Sequence, residues 1–267
     1  MVARITSTSN PAVRAARRLA RSPGDRRAGA FVVEGPQAVG AAARALERLF
    51  VTDAAAAQRA DLVEAAAAGG AEVVMVSDAV LASIATTVTP QGLVGVANLP
   101  WPSLDGALEG ATLVVVLVGV ADPGNVGTIV RSADAAGADA VLLTTGSADP
   151  RNPKAVRASA GSIFSLPVVA DADLDETFAA GARHGLALLA TSPRGALDCD
   201  RTDLVRPIGL VCGNEARGLP DAVVARCDAA IRVPQHGRAE SMNLAAAVAV
   251  LTYEAARQRR RARDDAP

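Results

Sequence analysis

Short apolar runs alternate with stretches of helical period along most of this chain, and the rhythm restarts once. Residues 1–30 read as a basic helix and a turn: in "NPAVRAARRLARSPGDRR", Pro11 stands near a helix start and Pro23-Gly24 at its end. From Phe31 a strand ("FVVEG"), a helix over 37–47, a strand ("RLFVT") and an Ala-rich helix over 54–68 follow. "AEVVMV" and "GLVGVAN" complete a small α/β domain over residues 1–98. "LPWPSLDGALEG" (99–110), two prolines and two glycines around the sole tryptophan, reads as a linker. The second domain, 111–267, opens with "TLVVVLVGV" (112–120), an unbroken β-branched run of the kind buried on both faces of a parallel sheet. Strands are predicted at 140–145, 166–170, 186–191, 207–213 and 229–234, and helices at 126–137, 153–160, 173–184, 219–227 and 241–257. This pattern is βαβ throughout. It predicts an α/β fold with a mostly parallel sheet and helices on both faces.

Composition changes the picture in three places. Half of the 267 residues are hydrophobic but aromatics are scarce, so the core must be aliphatic and Ala-rich. Net charge is −1, yet Lys154 is the one lysine among 27 basic residues. Seven arginines fall within the first 30 residues against one acid, Asp25, and "RQRRRAR" fills 257–263. Arginine forks match phosphate oxygens, although Arg-favouring codon usage and solvated ends explain the same bias. Cys199, Cys212 and Cys227 have no CxxC spacing and suit reduced thiols. His184 and His236 offer no zinc spacing, so no metal is expected. No secretory segment is visible and the longest apolar run, 111–121, is too short to span a bilayer. The expectation is a soluble cytoplasmic protein without membrane contact.

The candidate chemistry lies in three loops. "GVADPGNVGTIVRSADAAG" (119–137) and "VCGNEARGLP" (211–220) each follow an apolar strand, and "VPQHGRAESMN" (233–243) leads into an apolar helix. In such sheets ligands bind at the carboxyl ends of strands. The glycines 119, 124 and 127 miss the dinucleotide G-x-G-x-x-G spacing, and Asn125-Val126 stands where a Walker loop needs Lys-Ser/Thr. Both familiar phosphate loops therefore fail.

Together, "NVGTIVRSADAAGADAVLL", "LVCGNEARGLP" and "IRVPQHGRAESMNLAAAVAVLTYEA" resemble the three motifs of the SpoU/TrmH group of RNA ribose methyltransferases in the SPOUT superfamily. "STSNPAVRAARRL…GAFVVEGPQAV" resembles that group's ribosomal-protein-like substrate-binding domain, so the resemblance covers nearly the whole chain. It implies a C-terminal SPOUT α/β-knot, a mostly parallel sheet tied into a deep trefoil knot. Threading the chain would bring the three loops around one S-adenosyl-L-methionine. The cofactor contacts it implies are largely backbone, at Gly213, Val233 and Met242, with Asn214, Gly218 and Pro234 beside them. Glycine at 213 would let main chain approach the ligand. Val233 and Met242 depart from the residues usual in the group, which backbone contacts should tolerate.

The implied reaction moves a methyl group to a ribose 2′-hydroxyl, and the residues matching the catalytic set are Arg131, Asn125, Glu215, Ser241 and Asn243. Each has a plainer alternative. Arg131 lies off the apolar stripe of its helix and could pair with Asp134. As catalyst it would grip a phosphate and stabilise the developing alkoxide, since guanidinium is a poor base. Asn125 and Ser241 could be helix N-caps. Glu215 could be a solvated acid rather than an orderer of loop and RNA. Asn243 would contact substrate or brace the knot, and Glu34 in "VEG" reads as structural. The helix over 244–253 is apolar all round, which requires burial on every side; the resemblance implies a homodimer formed through this region.

RNA is the expected partner, ribosomal RNA ahead of transfer RNA, through the Arg-rich N-terminal domain and phosphate contacts; aromatics are too few for a stacking surface. A base-nitrogen methyltransferase, for which Glu215 would serve as base, and a non-catalytic RNA-binding protein remain open.

Overall fold

Residues 4–26 and 29–265 are described in the computed structural model, and they sort into two units. One comprises 1–100 together with 149–164; the other comprises 101–148 and 165–267.

In the first unit the Pro11–Arg21 helix starts where the sequence indicates. Asn10 caps it by accepting the Ala12 N–H over 2.9 Å, Pro11 occupies the first turn, and Val13, Ala16 and Ala20 face inward. Arg18 and Arg21 sit in its last turn, where positive charge suits the helix dipole. Four strands follow, β1 (Ala30–Glu34), β2 (Leu46–Val51), β3 (Glu72–Met75) and β4 (Leu93–Asn98), in the order β1-β4-β2-β3. β2 and β3 run parallel, but β4 is antiparallel to both β1 and β2. The βαβ reading therefore fails for this half: β4 comes back between β1 and β2, a placement that alternating apolar runs do not encode. The helix expected over 37–47 stops at Ala41 because Leu46 already belongs to β2. The helix expected over 54–68 breaks at Arg59 into Asp53–Gln58 and Ala60–Ala68. A further helix, Asp78–Ile84, is capped by Ser77 and buries Val80, Leu81 and Ile84.

Residues 149–164 follow β6 in the chain, yet they pack in this unit. The Pro153–Ala158 helix lies against β1, and Phe164 stacks on Phe31 with ring centroids 5.9 Å apart. Buried Arg26 donates to Asp149 over 3.0 Å. Glu34, also buried, accepts the backbone N–H and hydroxyl of both Thr86 and Thr87, with Arg157 at 3.7 Å. Burial raises the Glu34 carboxyl, but the threonine hydrogen bonds and the Arg157 charge outweigh it and hold the group below the usual range. Its role is structural: it fixes the turn before β4.

The second unit is a seven-stranded sheet of β5 (Leu113–Leu117), β6 (Ala140–Thr144), β7 (Val168–Ala172), β8 (Ala187–Thr191), β9 (Leu197–Asp198), β10 (Ile208–Cys212) and β11 (Ala229–Arg232). The order is β7-β6-β5-β10-β8-β11-β9, and every pairing is parallel. β5, β6 and β10 are buried at every residue, as their unbroken apolar runs demand. Each such Val or Leu contributes roughly 1.5–3 kcal/mol by leaving water. A short helix, Leu104–Leu108, interrupts the expected linker.

The final helix runs Leu244–Asp264, packs on the Pro123–Ala135 helix and buries Ala245, Val248, Leu251, Thr252 and Ala255. It is not buried all round: Val250 is 41% and Tyr253 63% exposed. The arginine cluster at its end divides. Arg257 pairs with Glu254, whereas Arg259 donates to the carbonyls of Leu204, Thr112 and Arg206 and to the Thr112 hydroxyl, tying the helix to the amino end of the sheet. Neither is free for phosphate.

Candidate active site

β5 and β10 are neighbours, so the two glycine-bearing loops leave the same edge of the sheet. The Val118 N–H donates to the Cys212 carbonyl over 2.8 Å, continuing the ladder into both loops. β6 and β7 lie on one flank of this pair, β8 and β11 on the other. Such a point of reversal opens a crevice at the strands' carboxyl ends.

The loop after β10 is closed on itself. Asn214 and Gly218 exchange backbone hydrogen bonds of 2.8 and 3.1 Å, while Asn214 Oδ1 accepts the N–H groups of Ala216 and Arg217. Asn214 Nδ2 reaches across to the Gly119 carbonyl over 2.8 Å. A Cβ on Gly213 would stand 2.3 Å from the backbone of Gly218 and Leu219. The loop's own backbone therefore requires glycine here.

Glu215 binds the first loop to the second. Its Oε2 accepts the Ala121 N–H and its Oε1 accepts the Asp122 N–H, each over 3.0 Å, and Oε1 also accepts from Asn125 Nδ2 over 2.9 Å. Partial burial raises the carboxyl, but the Asn125 bond and the backbone donors outweigh it and hold it below its ordinary value. Asn125 in turn accepts from Asn243 Nδ2 over 3.2 Å. Asn243 Oδ1 takes the N–H groups of Ala245 and Ala246, making Asn243 the N-cap of the last helix. One polar chain thus joins all three loops.

This arrangement corrects two capping assignments. Asp122, not Asn125, caps the Pro123–Ala135 helix, accepting the Gly124 N–H over 2.8 Å. Asn243, not Ser241, caps the final one. Arg131 is exposed on the Pro123–Ala135 helix, off the buried stripe of Val126, Ile129, Val130 and Ala133. Among the described residues it forms no ion pair with Asp134.

Two adjoining cavities lie where the loops meet. One, of about 330 Å³, is lined by Gly213, Asn214 and Gly218 from the second loop and by Val233, Ser241 and Met242 from the third, over apolar Ile231, Leu244 and Leu251. Pro234 does not line it; it faces a separate groove with Val250 and Tyr253. The other, of about 580 Å³, is lined by Asn125, Glu215, Ser241 and Asn243. Asn214, Glu215, Ala216, Ser241, Met242 and Leu244 border both. The smaller cavity has the size and mixed apolar and polar wall that a nucleoside-sized ligand requires. The turn after β8, Thr191–Arg194, forms its remaining wall and was missed from the sequence. The signal was present as "SPRG" directly after an apolar run. Among the described residues no His, Cys, Asp and Glu cluster could hold a metal, and no helix is long and apolar enough to cross a membrane.

Residues 112–253 match the SpoU rRNA methylase family, and residues 10–95 match the MRM3-like substrate binding domain. A Synechocystis protein described as an uncharacterized tRNA/rRNA methyltransferase is 34% identical over 262 residues, covering 96% of this chain and 94% of its own. The Bacillus subtilis 23S rRNA (guanosine(2553)-2′-O)-methyltransferase RlmP is 35% identical over 183 residues, 67% of this chain and 70% of that protein. The crystal structure of an AdoMet-bound rRNA methyltransferase from Sinorhizobium meliloti superposes with a TM-score of 0.84 at 31% identity, covering 96% of this chain and 98% of that one. With three loops converging on one crevice and both halves matched, the chain belongs to the SpoU family of rRNA methylases.

Proposed function

We propose that this protein transfers the methyl group of S-adenosyl-L-methionine to a ribose 2′-hydroxyl of ribosomal RNA. The observation that carries this reading is the shared border of the two cavities: Gly213, Val233 and Met242 line one, Asn125, Glu215 and Asn243 the other. A donor held in the first and a nucleotide in the second would meet across Ser241 and Met242. Bound there, the donor supplies a sulfonium-activated methyl carbon. The protein's part is alignment and charge management. Asn125 and Asn243 are fixed by the polar chain and present amide groups to the acceptor cavity. Arg131, exposed on the Pro123–Ala135 helix outside both cavities, grips an RNA phosphate. Glu215 acts as a brace. A carboxylate that already takes three donors and sits below its usual pKa is a poor base. That weighs against base-nitrogen methylation, which would have needed Glu215 as proton acceptor.

RNA is held through the N-terminal unit, where Arg14, Arg18 and Arg21 are exposed along one helix. The last helix leaves Val250 and Tyr253 exposed beside Pro234 and His236, and a second copy of the chain covers that apolar groove in a homodimer. The chain through β10, β11 and the last helix is threaded as a trefoil knot.

The test is incubation with labelled methyl donor and separated ribosomal and transfer RNA pools, followed by alkaline hydrolysis. Label in ribosomal RNA that blocks cleavage at the modified nucleotide supports the reading. Label that leaves every linkage cleavable overturns it.

A further inference from the structure

The donor cavity carries more positive charge than its fold requires. Three arginines line it, Arg194, Arg217 and Arg232, against the single acid Glu215. Glu215 is engaged by Ala121, Asp122 and Asn125, and Arg232 is neutralised by Asp198 at 2.6 Å. Among the described residues the guanidinium groups of Arg194 and Arg217 form no hydrogen bond or ion pair.

Both arginines nevertheless stand on fixed backbone. The Arg194 N–H donates to Ser192 Oγ over 3.2 Å, and the Gly195 N–H closes the turn on the Ser192 carbonyl over 2.9 Å. That turn is pressed on β11: a Cβ on Gly195 would stand 2.5 Å from the Ile231 carbonyl carbon. The Arg217 N–H is held by Asn214 Oδ1 over 3.1 Å. Two unengaged forks therefore belong to hydrogen-bonded turns, one after β8 and one after β10, that line a single cavity.

The charge of the donor decides what they meet. S-adenosyl-L-methionine carries a cationic sulfonium, a cationic ammonium and one carboxylate. Two guanidiniums repel the first two groups and bind the third bidentately. Resting on the cofactor assignment above, we infer that Arg194 and Arg217 form a carboxylate clamp that fixes the amino-acid end of the donor. Adenosine then falls to the Gly213, Val233 and Met242 side, and the two ends hold the sulfonium between them. The clamp selects donors bearing a free carboxylate.

Titration calorimetry on the full-length protein tests this with S-adenosyl-L-methionine and its decarboxylated analogue. Wild-type protein should prefer the intact donor by about tenfold or more, the range expected of charge-assisted hydrogen bonds. Arg194→Gln and Arg217→Gln should each weaken the intact donor severalfold, leave the analogue unchanged, and together abolish the preference. Equal binding of the two ligands by wild-type protein overturns the clamp while leaving the cofactor assignment intact. No binding of either ligand overturns both. Unchanged donor affinity in the double variant with weakened RNA binding also overturns the clamp and reassigns the two arginines to RNA phosphate. Thermal melting of each variant at the wild-type temperature excludes misfolding as the cause.

Discussion

Asn125 and Glu215 lie ninety residues apart in sequence and share a 2.9 Å hydrogen bond. That contact joins the loop after β5 to the loop after β10, and Asn243 extends it to the third loop over 3.2 Å. The site is therefore braced by amide and carboxylate side chains, and its geometry depends on their protonation and donor pattern.

Glu215 is held below its ordinary carboxyl pKa of 4.5 in the folded state. A depressed folded value means that its stabilisation is complete above the unfolded pKa and lost as pH falls through the folded one. Glu215→Gln should lower the melting temperature at neutral pH, and the gap to wild type should close as acid protonates the native carboxyl. Differential scanning calorimetry between pH 7 and 3 checks this; a gap that widens in acid contradicts it. Turnover should show no limb from Glu215 near neutrality.

Asn243 has two separable jobs. Asn243→Asp keeps an acceptor for the Ala245 and Ala246 N–H groups but loses the donor to Asn125. It should melt near wild type and yet turn over at least about tenfold more slowly, the loss of one positioning hydrogen bond. Asn243→Ala should lose both, with about 1 kcal/mol of stability gone with the cap.

Arg131 touches neither cavity wall and carries no partner among the described residues. Arg131→Lys keeps the charge and loses the fork. Single-turnover assays should show most of the methyl transfer gone while calorimetry shows unchanged donor affinity. Near-normal turnover would remove Arg131 from the reaction.

A fragment ending at residue 100 lacks Asp149, Arg157 and Phe164, the partners of Arg26, Glu34 and Phe31. It leaves a buried guanidinium and a buried carboxylate without their counter-charges. Its circular dichroism melt should be broad and weakly cooperative, and a sharp transition would contradict the assignment of 149–164 to this unit.

Much of the second unit was legible because its strands β5, β6 and β10 are buried at every residue. "TLVVVLVGV" announces β5, and the glycine-bearing loops mark the ends of β5 and β10. What could not be read is what distant contacts decide. Arg26 meets Asp149 across 123 positions, a pairing that no local period encodes. At both loop-to-helix junctions two residues able to cap stand close together, Asp122 with Asn125 and Ser241 with Asn243. Local preference ranks such residues almost equally; at the first junction Glu215 engages Asn125 while Asp122 caps, and at the second Asn243 caps while also pairing with Asn125. The clamp arginines stayed hidden because an exposed arginine in a turn looks like any other until the cavity beside it is known.

One methyl donor is proposed to sit between the second and third loops, beside the Asn125–Glu215 brace. The most direct measurement is a crystal structure of the protein grown with S-adenosyl-L-methionine. Electron density for the adenosine against the backbone of Gly213, Val233 and Met242, with the sulfonium methyl directed at the Asn125 and Asn243 side chains, is the predicted result. Density in any other cavity, or a methyl group turned away from those two asparagines, would contradict it.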